Sequence, residues 1–171
     1  LNTACKKAGV LLIVDEIQSA FGRTGTLFAF ESYNIQPDIL LLGKALGAGL
    51  PLGAFIASHD IMHQFTDNPV LGHITTFGGN PVSCAAGMAG LQVLLESNWM
   101  PSVREKELYL VTHLRHHAIQ HRSHKGLWMA LTFESDLIAK SIAAKCIENG
   151  LITDWFLFAE NKIRIAPPLC I

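Results

Sequence analysis

The chain reads as an α/β protein, and three observations carry that reading. Two short apolar runs, residues 10–14 (Val-Leu-Leu-Ile-Val) and Ile39–Leu42, each end in polar or glycine-rich sequence. A helix-opening Asn80-Pro81 pair precedes a long stretch rich in small residues. Strand-like and helix-like segments then alternate to the C-terminus, the pattern of strands covered by helices.

The elements follow in order. Residues 2–8 suit a helix tail stopped by Gly9. Residues 10–14, ending at Asp15, predict a strand buried on both faces in a parallel sheet, and Ile39–Leu42 repeats the pattern. Residues 53–58 offer a third, weaker strand after the glycine-rich loop 43–53. Asn80 as N-cap and Pro81 in the first turn predict a helix over 82–96, with Ala85, Ala86, Gly87, Ala89 and Gly90 permitting close packing. Residues 98–101 break the pattern, so the expected domains are 1–98 and 99–171. A helix over 103–121, a strand over 127–133, a helix over 137–148 stopped by Gly150, and short strands near Leu151 and Ile163 complete the expectation.

Composition narrows the function. Of 171 residues, 50% are hydrophobic and 16% charged, enough for a substantial core. A formal net charge of −1 gives no electrostatic case for nucleic acid or an anionic membrane. Cys5, Cys84, Cys146 and Cys170 show no Cys-x-x-Cys spacing, which argues against a disulfide framework and fits a reducing compartment. With no long apolar span and no signal segment, the expected location is the cytoplasm. Leu1 is not an initiator methionine and Ile171 closely follows a strand-like stretch, so the chain is expected to be a fragment of a longer protein.

The chemistry concentrates at the ends of the two apolar runs. Lys44 follows Ile39-Leu-Leu-Leu-Gly43, and an apolar, glycine-lined setting would favour the deprotonated amine that a Schiff base requires. Asp15, ending the other run, supplies a carboxylate able to keep a pyridine nitrogen protonated. That pairing points to pyridoxal phosphate. Glu16 reads as a solvated neighbour. His113, His117 and His121 recur at helical spacing, but without accompanying carboxylates or cysteines they read as a solvated helix face, and no metal is expected.

Six segments together resemble the class III (omega) aminotransferases of fold-type I. They are Leu11-Leu-Ile-Val-Asp-Glu-Ile-Gln18, Gly22-Arg-Thr-Gly25, Pro37-Asp-Ile-Leu-Leu-Leu-Gly-Lys-Ala-Leu-Gly47, Leu52-Gly-Ala54, Thr75-Thr-Phe-Gly-Gly-Asn-Pro81 and Ile163-Arg-Ile-Ala-Pro-Pro168. The resemblance implies part of the large-domain sheet over 1–98 and a truncated small α/β domain over 99–171. It implies that Lys44 carries the cofactor, Asp15 holds the pyridinium, Gln18 reaches the phenolic oxygen and Thr76 binds the phosphate of the partner subunit's cofactor in a homodimer. Arg164 would bind the carboxylate of 2-oxoglutarate, a match of planar guanidinium to carboxylate.

The motifs look most like the acetylornithine, ornithine and putrescine branch, with a 4-aminobutyrate enzyme as the alternative. The family's phosphate cup, ring-stacking aromatic and the acidic partner of its arginine are expected outside these 171 residues, so the stretch alone is expected to be inactive. A non-catalytic relative is a rival reading, against which the joint presence of Lys44, Asp15 and Thr76 argues. A P-loop ATPase is another, since residues 11–16 resemble a Walker B strand. It needs Gly-x-x-x-x-Gly-Lys-[Ser/Thr], and Gly43-Lys44 is followed by Ala45.

Overall fold

The computed structural model describes residues 1–68, 70, 72 and 74–171, and these form two compact units. The first comprises residues 1–22 and 26–98. The second comprises 23–25 and 99–171.

The first unit is built on a three-stranded sheet. A short helix α1 (Asn2–Ala8) ends at Gly9, whose φ of 65° supplies the left-handed cap. Strand β1 (Ile13–Asp15) runs parallel to β2 (Ile39–Leu42), and β3 (Ala54–Ala57) runs antiparallel on the far side of β2. The segment from β2 to β3 contains a 3-10 turn, Lys44–Gly47. Helix α2 (His59–His63) follows, capped by the Ser58 hydroxyl. Helix α3 (Pro81–Glu96) starts as its sequence dictates, with the Asn80 side chain accepting from the N–H groups of Val82 and Ser83.

Glycines set how α3 meets the 3-10 turn. A Cβ on Gly87 would lie 2.4 Å from the Leu46 carbonyl oxygen, and one on Gly90 would lie 2.5 Å from the Ala48 Cβ. Only hydrogen at these two positions lets the helix backbone approach the turn that begins at Lys44.

The second unit is a four-stranded antiparallel sheet in the order β4-β5-β7-β6, formed by His121–His124, Met129–Thr132, Ala159–Ile165 and Asp154–Phe156. Helices α4 (Trp99–His113) and α5 (Asp136–Glu148) complete it. Met129, Leu131, Phe133 and Ile163 bury one sheet face against Ala139 and Ala143 of α5, with Leu110, Val111 and Leu114 packed around them. Alternation along β5 leaves Ala130 and Thr132 on the other face.

Several expectations are corrected here. Residues 10–14 are not a strand buried on both faces: β1 is three residues long, only Leu12 is buried, and Val10, Leu11 and Ile13 are more than half exposed. Its apolar composition promised burial, but β1 borders β2 alone. The helix expected over 103–121 instead spans Trp99–His113 and takes in Pro101 within its first turns, where proline is tolerated. His121 stands in β4, paired with Thr132, and His117 lies between the two elements. The three histidines therefore share no helix face, because the cross-strand ladder of 121–124 with 129–132 overrides the helical spacing. The strand expected near Leu151 begins at Asp154.

Candidate active site

Asp15 and Lys44 stand at the carboxyl ends of two neighbouring strands. Asp15 is the last residue of β1, Lys44 follows β2 by two residues, and parallel strands place both at carboxyl ends, where an open α/β sheet forms its ligand crevice. Gly43, buried, passes against the Ile17 side chain, and a Cβ there would come within 3.3 Å of it. Lys44 itself has a φ of 46°, a left-handed conformation uncommon for a side-chain-bearing residue.

Its amine donates a hydrogen bond to the Gln18 side-chain oxygen. The Asp15 carboxylate accepts from the Ile17 N–H at 2.9 Å and is exposed. Three of the expected residues are thus brought to one end of the sheet. One expectation about them is corrected: Lys44 is exposed rather than buried, and its amine donates to the polar Gln18 side chain.

Glu16 corrects another. Far from solvated, it is 1% exposed. Its carboxylate accepts from the Ser19 hydroxyl at 2.8 Å and from the N–H groups of Ala29 and Phe30 at 2.9 and 2.7 Å. Those two N–H groups open the 3-10 helix Ala29–Tyr33, so Glu16 acts as its cap from a distant turn.

Thr76 lies in an exposed turn before α3, with Gly79 at φ 69°, and makes no hydrogen bond to Lys44, Asp15 or Gln18. A Cβ on Gly78 would fall 2.5 Å from the Thr75 hydroxyl oxygen, so this turn is tight.

Arg164 belongs to the second unit. It lies on β7, and its Nη2 is 2.9 Å from the Asp154 carboxylate on β6. Sequence reasoning missed Asp154, because nothing local reveals which residue of a hairpin will face Arg164. It also gave Arg23 no role beyond a matching motif. The Arg23 guanidinium donates to the carbonyls of Leu127 and Pro167, the first at 3.0 Å. Burial, and secondarily the neighbouring Arg164 cation, push Arg23 below the ordinary arginine range. Among the described residues, no group of three or more His, Cys, Asp or Glu side chains is placed to hold a metal ion, and no helix is long and apolar enough to cross a membrane.

This combination of sheet and helices is that of fold-type I pyridoxal phosphate-dependent aminotransferases. The chain matches the family model "Aminotransferase class-III" over residues 1–171, and it belongs to that family. It is similar to an ornithine δ-aminotransferase of Plasmodium falciparum (34% identity, TM-score 0.88), covering 99% of this chain and 45% of that one. An ornithine aminotransferase of Toxoplasma gondii ME49 matches at 34% identity and TM-score 0.87, with 99% and 41% covered. An acetylornithine aminotransferase of Elizabethkingia anophelis matches at 35% and 0.85, with 99% and 43% covered. The chain therefore spans less than half the length of these relatives.

Class-III aminotransferases are pyridoxal phosphate-dependent. The donor set here fits that cofactor. An exposed amine, an exposed carboxylate and a side-chain amide lie within one strand-end cluster. The carboxylate keeps one oxygen beyond its bond to Ile17, and the amide keeps its N–H₂ beyond its bond from Lys44.

Proposed function

We propose that the whole protein is an aminotransferase moving the terminal amino group of a basic amino acid or diamine, such as ornithine or N-acetylornithine, to 2-oxoglutarate. The observation that carries the reading is the Lys44 amine on Gln18 at the carboxyl ends of β1 and β2, beside Asp15. Family membership and the ornithine and acetylornithine aminotransferases among similar structures support it.

Bound pyridoxal phosphate would supply an electrophilic carbonyl and an electron sink. Lys44 Nζ would hold the cofactor covalently and, once freed by the amino donor, carry a proton at the reacting carbon. Its position on a short turn, rather than on a long flexible loop, limits where the amine can reach. Asp15 would pair its carboxylate with the protonated ring nitrogen. Gln18, released from Lys44, would donate its amide N–H to the phenolic oxygen. Thr76 would donate its hydroxyl to a phosphate oxygen in the partner subunit of a homodimer. Arg164 would grip the carboxylate of 2-oxoglutarate through its planar fork.

In this reading residues 1–98 form part of the large cofactor-binding domain and 99–171 part of the small domain. The scattered cysteines suit a cytoplasmic protein. Steady-state assays of the whole protein with ornithine, N-acetylornithine, putrescine and 4-aminobutyrate test the substrate. Turnover with ornithine or N-acetylornithine at least tenfold above the other two is expected. Preference for 4-aminobutyrate or putrescine would select the alternative donor within the same family, and no transfer from any of the four would overturn the reading.

A further inference from the structure

The ladder between β5 and β7 pairs Leu131 with Ile163 and Met129 with Ile165. In an antiparallel pair, positions that exchange two hydrogen bonds recur at every second residue. The Phe133 N–H donates to the Asn161 carbonyl at 2.9 Å, so the same register, carried two residues beyond Met129 and Ile165, sets Leu127 against Pro167 at the next exchanging position. Pro167 has no N–H, and the rung that should close this end of the ladder cannot form.

Arg23 stands in its place. The Leu127 N–H donates to the Arg23 carbonyl at 3.0 Å, and the Arg23 Nη1 donates to the carbonyls of both Leu127 and Pro167. One guanidinium nitrogen carries two hydrogens, one for each carbonyl. The fit is close: a Cβ on Gly126, whose φ is 60°, would lie 2.6 Å from the Arg23 carbonyl oxygen.

We infer that Arg23 is a positioning residue for Arg164: it replaces the rung that Pro167 removes and so fixes the end of β7 that carries Arg164. This rests on the reading of Arg164 as the carboxylate-binding arginine. Leu127 is 1% exposed, so without Arg23 its carbonyl loses a donor that water cannot replace. The segment from Arg164 to Pro167 is then held at this end by no bond across to Leu127, and the guanidinium of Arg164 loses its fixed origin. A planar fork grips a carboxylate best when both its N–H groups are aimed at it, so the loss falls on carboxylate affinity.

The test is calorimetric binding of glutarate, a dicarboxylate that cannot react, to the whole protein with pyridoxal phosphate bound, beside thermal melts of each variant. Arg23→Met should bind glutarate about three- to tenfold more weakly, the range that one lost hydrogen bond spans. Arg23→Lys, which keeps a donor, should lie between Arg23→Met and wild type. Adding Pro167→Ala to Arg23→Met returns an N–H to the ladder opposite the Leu127 carbonyl and should recover most of the lost affinity. If Arg23→Met does not fold, a folded double variant that binds glutarate nearly as well as wild type supports the inference, and a double variant that also fails to fold, with Pro167→Ala alone folded, overturns it. A lower melting temperature with unchanged glutarate affinity in Arg23→Met would reduce Arg23 to a structural part and overturn the inference, as would a loss that Pro167→Ala leaves unrepaired. Arg164→Ala separates the two readings: glutarate binding indifferent to it would overturn the role of Arg164 and this inference with it, whereas binding disrupted by Arg164→Ala and untouched by Arg23→Met would overturn the inference alone.

Discussion

The amine of Lys44 donates to the side-chain oxygen of Gln18, joining the residue just past β2 to the turn just past β1. Two strands that are parallel neighbours thereby bring these two side chains to one place. The link explains why a left-handed φ at Lys44 is retained: the sharp turn after Gly43 aims the amine back toward the β1 end.

Asp15→Asn should leave the fold intact and slow turnover of the whole protein by at least a hundredfold. The side chain is exposed and its one hydrogen bond, from Ile17, survives in the amide. A neutral amide, however, cannot hold a ring nitrogen protonated. Circular dichroism and single-turnover rates separate the two effects. Near-normal turnover would remove Asp15 from the mechanism.

Glu16→Ala should destabilise the first unit by roughly 1–3 kcal/mol, because the part-buried N–H groups of Ala29 and Phe30 lose their acceptor. Glu16→Gln keeps one acceptor oxygen and should cost less. Thermal melts of both variants check the ordering. Equal stability of wild type and Glu16→Ala would show that the cap is dispensable.

In the second unit Glu107, 5% exposed, accepts from His124 at 2.7 Å and from Arg104 at 3.0 Å. Burial pushes its carboxyl up, but the hydrogen bonds from His124 and Arg104 outweigh it and leave the value below the ordinary 4.5. A depressed carboxylate stabilises the fold above its unfolded-state value and loses that contribution as pH falls through the lowered, folded one. Acid titration of the second unit's unfolding should therefore steepen below pH 4.5, and Glu107→Gln should flatten that limb. An unaltered acid limb in the variant would show that the linkage lies elsewhere.

Much of this was legible in the sequence where the signal is local. Asn80-Pro81 announces its helix start because the cap and the first turn are adjacent in the chain, and Gly150, just past Asn149, marks the end of α5 in the same local way. Reading failed where a ladder decides. His113, His117 and His121 carry a helical spacing, yet 121–124 extend to pair with 129–132. Burial misled in both directions: Val10, Leu11 and Ile13 are apolar and exposed, while Glu16 is charged and enclosed by N–H donors thirteen and fourteen residues away. Asp154 opposite Arg164 depends on hairpin register, which no local signal encodes.

The most direct measurement is borohydride reduction of the whole protein with pyridoxal phosphate bound, followed by peptide mass mapping. Lys44 should carry the pyridoxyl group, on the peptide that contains Gly43-Lys44-Ala45, and Lys44→Ala should carry none. A pyridoxyl group on Lys6, Lys7 or any other lysine, with Lys44 unmodified, would contradict the assignment of the strand-end cluster as the cofactor site.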